Sequence, residues 1–205
     1  MWSSSALVAE ALIGEGAHCV NDVSGGTHDA AMLPTVARLG VPAVLMHMRG
    51  EPATMASLAH YTDVVAEVRS ELLERLHAAE AAGLPRWSLI SDPGIGFAKD
   101  ADHNLALMRH LGAFSHAAFG YPMLLGVSRK AFIGRALAAR RAEGMTDGAD
   151  GVETPPPPPP PRERVWGTGA ACALGVPHAD ILRVHDVAEM RDVAAVADAI
   201  MRPAP

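Results

Sequence analysis

Five stretches of the chain repeat one layout of hydrophobic and polar positions: a short apolar run, a polar or Gly-containing turn, then a segment with helical spacing. They read AHCVNDVSGG at 17–26, VPAVLMHMRG at 41–50, WSLISDPGIGF at 87–97, YPMLLGVSRK at 121–130 and ADILRVHDV at 179–187. Runs this apolar suit strands buried on both faces, as in a parallel sheet covered by helices. The clearest intervening helix is predicted over 62–82. Val64, Val65, Val68, Leu72, Leu73 and Leu76 form its stripe, Asp63, Glu67, Arg69, Glu71 and Glu74 its solvated face, and Gly83 its stop. Segments 102–111 and 187–201 pattern the same way. Strand alternating with helix predicts βα units and an α/β fold.

The pattern breaks between Arg141 and Arg164, where Gly, Asp and Glu lead into seven consecutive prolines at 155–161. Prolines have no N–H to give a helix or an inner strand and prefer polyproline II geometry. The stretch 141–164 is therefore expected as a disordered, solvent-exposed insertion clear of any site, within a single domain spanning 1–205.

Composition narrows the function more than the fold. The formal net charge is -6 over 205 residues, with no basic face for tracking phosphates, so a small-molecule partner is expected rather than nucleic acid. The longest apolar runs fall far short of the roughly 18 residues of a membrane span. Cys19 and Cys172 lie in apolar or small-residue stretches without metal-like spacing and are expected as buried thiols in a reducing compartment. The N-terminus reads as no secretory signal, and the expected location is cytoplasmic or mitochondrial.

The chemically capable residues collect at the predicted strand ends, where α/β sheets and barrels place their sites. The NDVSGG turn reads equally as a tight turn or as a ligand contact through Asn21. Asp92, leaving a buried strand into two glycines, needs a partner or a ligand. Ser128, Arg129 and Lys130 after Gly126 suit an anionic or electron-rich ligand. Arg183 and His185 alternate onto one strand face as two phosphate donors. Met46 and Met48 flank His47 and stand apart from methionines that fill the core. The other histidines lack metal-like partners.

In order and spacing, NDVSGG, LMHMRGEPATM, DPGIGF followed by HNL, GVSRKAFIG and RVHDV resemble the successive strand-end motifs of the dihydropteroate synthases. The resemblance implies a (β/α)8 TIM barrel represented by strands 4 to 8, its first three strands absent. It implies condensation of a dihydropterin pyrophosphate with p-aminobenzoate, giving dihydropteroate and pyrophosphate. It further implies a pterin site of Asn21, Met46, Asp92, Phe97, Gly126 and Lys130. Arg183 and His185 would hold the pyrophosphate, and Ser128 and Arg129 would sit on the p-aminobenzoate side.

The same resemblance implies Mg2+, with its ligand outside this chain, and a family that is often homodimeric. A longer multifunctional folate polypeptide is the companion expectation. The family's first two loops and its third-strand Asp have no counterpart, so the chain is expected to be inactive by itself. Ala98 and Ala131 are small departures. Two rivals are a pterin-binding methyltransferase relative, which would lack the SRKAFIG and RVHDV pair, and a non-catalytic remnant docking through its prolines.

Overall fold

The computed structural model describes residues 4–143 and 156–202. In chain order they form α1 (Ala6–Gly14), β1 (Val20–Asp22), α2 (Met32–Leu39), β2 (Ala43–Met46), α3 (Val64–Ala81), β3 (Leu89–Asp92) and α4 (Ala101–Arg109). Then follow α5 (His116–Phe119), β4 (Leu124–Leu125), α6 (Ala131–Glu143), α7 (Val165–Gly175), β5 (Ile181–Leu182) and α8 (Val187–Met201). Each of the five apolar runs contains one strand, shorter than its run because the polar turn residues leave the ladder early.

All the pairings are parallel. β1 lies beside β2 with Val20 opposite Ala43, and β2 beside β3 with Ala43 opposite Leu89 and Met46 opposite Asp92. A bridge from Ser91 to Met123 continues the order to β4, which pairs with β5. Sequential order with helical crossovers brings all five strand C-termini to one rim. The fold is α/β. At the far edge, Ile181 is 39% exposed, so β5 is not covered on both faces as its apolar run suggests.

The long helix shows how the local sequence sets its own limits. The Asp63 carboxylate accepts the Val65 and Ala66 N–H groups, both at 3.0 Å, while Glu67 takes those of Thr62 and Asp63 at 2.7 and 2.9 Å. These acceptors satisfy donors that the first turn leaves orphaned, so α3 starts after Asp63 rather than at Thr62. Gly83 ends it at φ +100°, its N–H returning to Glu80. Val64, Val68, Leu72, Leu76 and Ala79 are buried against the sheet. Removing a side chain as enclosed as Leu72 costs about 2–5 kcal/mol.

Two expectations change. Of the stretch 141–164, residues 144–155 lie outside those described, and the flanks are ordered rather than disordered. α6 runs through Glu143, Pro159 is buried, and Pro161–Arg164 forms a 3-10 turn. Nor is this segment clear of the strand-end loops, because Arg164 donates to the carbonyls of Pro159 (2.8 Å) and Arg129 (2.9 Å). An arginine with two backbone acceptors holds what its proline neighbours cannot. Cys172 is buried as expected, whereas Cys19 is only half-buried.

Candidate functional site

Asp22, the last residue of β1, is buried and builds its turn. Its Oδ1 accepts the N–H (2.8 Å) and hydroxyl (2.7 Å) of Ser24, and its Oδ2 the N–H of Gly26 (2.8 Å). With Asp22 spent on the turn, alternation along the strand leaves the neighbouring Asn21 on the other face. The turn reading of NDVSGG is met by the Asp22 carboxylate and by Gly25 and Gly26 at positive φ, rather than by Asn21.

The end of β2 divides its residues the same way. Met46 faces Asn21's side, while His47 turns away and is fully buried between Glu71 Oε2 (3.0 Å) and Lys99 Nζ (2.9 Å). Burial holds the His47 ring at a pKa of about 4, against the pull of Glu71. It is therefore neutral at pH 7. Its Nε2–H donates to Glu71 and its Nδ1 accepts from Lys99. Arg49 pairs with Glu71 and with Glu67 (2.8 Å) and lies 4.0 Å over the Tyr61 ring. Arg75, one turn along α3 from Glu71, donates to the carbonyls of Met46 (2.7 Å) and Met48 (2.6 Å).

After β3 the chain needs its glycines. Gly94 and Gly96 take φ of +68° and +83°, and a Cβ on Gly94 would lie 1.9 Å from the His47 carbonyl oxygen. Asp92 accepts the Gly94 N–H at 2.8 Å, and the buried Asn104 of the HNL motif accepts that of Gly96 at 2.6 Å. Burial pushes the Asp92 carboxyl up to about 6, opposed by the Gly94 N–H and then by Lys130, Lys99 and Arg183. It remains mainly ionised at neutral pH.

Beyond β4, Lys130 places its ammonium 4.0 Å from the Phe97 ring centre, and burial lowers its pKa to about 8. This is cation–π geometry in a sheltered place. Arg129 sits at φ +59°, its N–H on Thr168 Oγ1 (2.9 Å) and its guanidinium on the Asp186 carboxylate. The Ser128 hydroxyl accepts the His185 N–H (3.1 Å) and shares a hydrogen bond with its Nδ1 (2.9 Å).

The five strand ends converge on one small cleft. Asn21, Met46, Asp92, Phe97, Gly126 and Lys130 all line it, together with Ile95 and Arg183. With Lys130 folded over Phe97 the cavity measures about 20 Å³, room for about one water. Ser128, Arg129 and His185 do not line the cleft. They form a second cluster tying the β4 and β5 loops together. His185 and Arg183 are both exposed, but only Arg183 lines the cleft.

Sequence reasoning missed Lys99, Glu71 and Arg75, and it misread the α3 charges as a solvated face. The signal was present: Glu67, Glu71 and Arg75 recur every four residues and so form one stripe. Among the described residues no three His, Cys, Asp or Glu side chains converge as a metal site. No described helix is long and apolar enough to cross a membrane.

A parallel α/β sheet with a polar, cation-capped cleft at its strand ends belongs to the TIM-barrel class of ligand-binding folds. The pterin binding enzyme family model matches residues 3–185. Dihydropteroate synthase of Mycobacterium leprae is 45% identical over 97% of this chain and 65% of its own length. The crystal structure of dihydropteroate synthase from Stenotrophomonas maltophilia superposes with TM-score 0.83 at 37% identity, covering 100% of this chain and 69% of that one. The Xanthomonas albilineans enzyme in complex with 7,8-dihydropteroate gives TM-score 0.80 at 36% identity, over 100% and 66%. The chain belongs to the pterin-binding enzymes, among the dihydropteroate synthases. It spans less than two thirds of the length of the curated relatives it matches.

Proposed function

We propose that this chain carries the pterin and pyrophosphate half of a dihydropteroate synthase active site. The observation that supports it best is the convergence of Asn21, Met46, Asp92, Phe97, Gly126 and Lys130 from four strand ends on one cleft, beside Arg183 from the fifth. The Asp92 carboxylate accepts from ring N–H groups, and the Asn21 amide both donates and accepts along the same edge. Phe97 and Met46 supply the ring faces, with the Lys130 ammonium against the π system.

Arg183 and His185, outside the ring-binding floor, hold the pyrophosphate of a dihydropterin substrate. As the C–O bond to pyrophosphate lengthens, negative charge grows on the leaving oxygens, and the guanidinium stabilises it. The amine of p-aminobenzoate then bonds to the ring's methylene carbon and gives up a proton, with no protein nucleophile involved. Alignment and leaving-group stabilisation are the catalytic work. Ser128 acts by fixing the His185 ring. Arg129, paired with Asp186, borders the p-aminobenzoate side rather than the pterin floor.

On this reading β1–β5 correspond to strands 4 to 8 of a (β/α)8 barrel, within one domain whose proline segment joins α6 to α7. Coverage of the full chain by structures of which it spans 69% or less supports that correspondence. Mg2+, further p-aminobenzoate contacts, homodimerisation and fusion to another folate activity are companion parts of this reading. The chain binds pterin. Calorimetry with 6-hydroxymethylpterin tests this: the chain binds and Asp92→Ala does not. Equal binding by both removes Asp92 from the site, and no binding by either removes the pterin reading.

A further inference from the structure

Resting on the pterin reading above, we propose that Lys99 is a positioning residue: its ammonium clamps the loop that presents Asp92 and Phe97 to the ring. Nζ carries three donors, and three acceptors meet it: His47 Nδ1 at 2.9 Å, the Gly94 carbonyl at 3.1 Å and the Phe97 carbonyl at 2.9 Å. The two carbonyls bracket a backbone that is left-handed at Gly94 and Gly96, and the next residue after Phe97, Ala98, is at φ +48°. A non-glycine residue there is strained and persists only when its surroundings hold it.

The clamp reaches the cleft through two short links. The Gly94 N–H binds Asp92 Oδ1, so fixing the Gly94 peptide orients the carboxylate. Fixing the Phe97 carbonyl sets the ring that lies 4.0 Å under the Lys130 ammonium. On its other side Lys99 is anchored by His47, whose far nitrogen is held by Glu71, itself paired with Arg49. Lys99 does not line the cleft, so it acts on the ring through its neighbours.

The clamp is sensitive to pH for a geometric reason: a neutral amine has two donors for three acceptors. Burial brings the Lys99 pKa down to about 7. Of the charges facing it, Asp92 and Glu71 favour the ammonium, Arg75 and Arg49 oppose it, and His47 is neutral. Raising the pH through 7 therefore weakens the clamp, whereas ionisation of Asp92 near 6 acts in the opposite sense.

Pterin affinity of the full chain, measured by calorimetry with 6-hydroxymethylpterin at pH 6.5 and 7.5, tests this. The wild type should bind about threefold weaker at pH 7.5, the change in protonated fraction for a pKa near 7. Lys99→Met should bind about tenfold weaker at pH 6.5 and show no alkaline loss. Lys99→Arg, charged throughout, should bind equally at both pH values. Wild-type affinity and slope in Lys99→Met overturn the clamp. If that variant does not fold, a Lys99→Arg slope matching the wild type overturns it instead. If the wild type binds no pterin at either pH, the functional reading fails, and amide exchange then judges the clamp separately. Faster exchange at residues 94–98 in Lys99→Met with α3 unchanged supports it; unchanged exchange overturns it.

Discussion

Two glycines with nearly the same backbone conformation should respond very differently to alanine. Gly40, after α2, has φ +65° with open space around an added Cβ, and Gly94 has φ +68°. Both substitutions place alanine in the left-handed region, at about 1–2 kcal/mol. At Gly94 the new Cβ also meets the His47 carbonyl oxygen at 1.9 Å and Met46 Cγ at 3.3 Å. That carbonyl cannot easily retreat, because the His47 N–H is tied to the Asp92 carbonyl at 2.9 Å. The loop must move instead. It then loses the Gly94 N–H bond to Asp92 and the Lys99 bond to the Gly94 carbonyl, each worth about 1 kcal/mol. Gly94→Ala should thus lose about 3–4 kcal/mol and Gly40→Ala about 1–2 kcal/mol. Urea unfolding of both variants measures the difference, and pterin calorimetry should find binding kept by Gly40→Ala alone. Equal stability losses would refute the argument that close approach, rather than backbone sign, requires Gly94.

Glu71→Gln should destabilise the chain by about 1–2 kcal/mol at pH 7. His47 and Arg49 hold the Glu71 carboxyl at about 2, below its usual value, so its stabilisation is present above about pH 4.5 and lost as pH falls. Urea melts at pH 7 and pH 3 should show the gap to wild type narrowing, and a constant gap would refute the ion-pair account. His47, held neutral by burial, adds stability that fades as pH falls below about 6.5. Substitution by Phe should flatten that part of the pH profile. Arg183→Ala, assayed in a chain completed with the remaining barrel strands, should slow turnover more than a hundredfold with pterin affinity little changed. An unaltered rate removes Arg183 from the leaving-group site.

Motif residues were legible because a βα unit repeats its own grammar. The apolar run, the turn glycines and the polar residue between them are contiguous, so Asn21, Asp92, Lys130 and Arg183 stand at strand ends as soon as the strands are placed. Their convergence follows from the parallel order, which short helical crossovers enforce. The bracing of those ends was not legible. Lys99 meets His47 across 52 residues, and Arg75 meets the carbonyls of Met48 and Met46, at and just past the end of β2, across 27 and 29. Such contacts leave no local pattern beyond the four-residue spacing on α3. The proline stretch was misjudged at its flanks for a similar reason: composition describes what prolines cannot do, whereas Arg164 supplies an anchor to Arg129 from outside the run.

By itself the sequence determined the α/β class and the parallel strands, because hydrophobic periodicity and turn chemistry act over a few residues, and its strand-end motifs carried the resemblance to the family. Only the tertiary structure decided what holds them. It separated Asn21 for the cleft from Asp22 for the turn, turned His47 inward while Met46 faced the cleft, and drew the Arg129 side chain onto Asp186. It also recruited the charges of α3 to the loops. Desolvation is the common physical cause. Once the strand ends pack, each buried charge or backbone carbonyl must find a partner, and the nearest partners lie on helices far away in sequence.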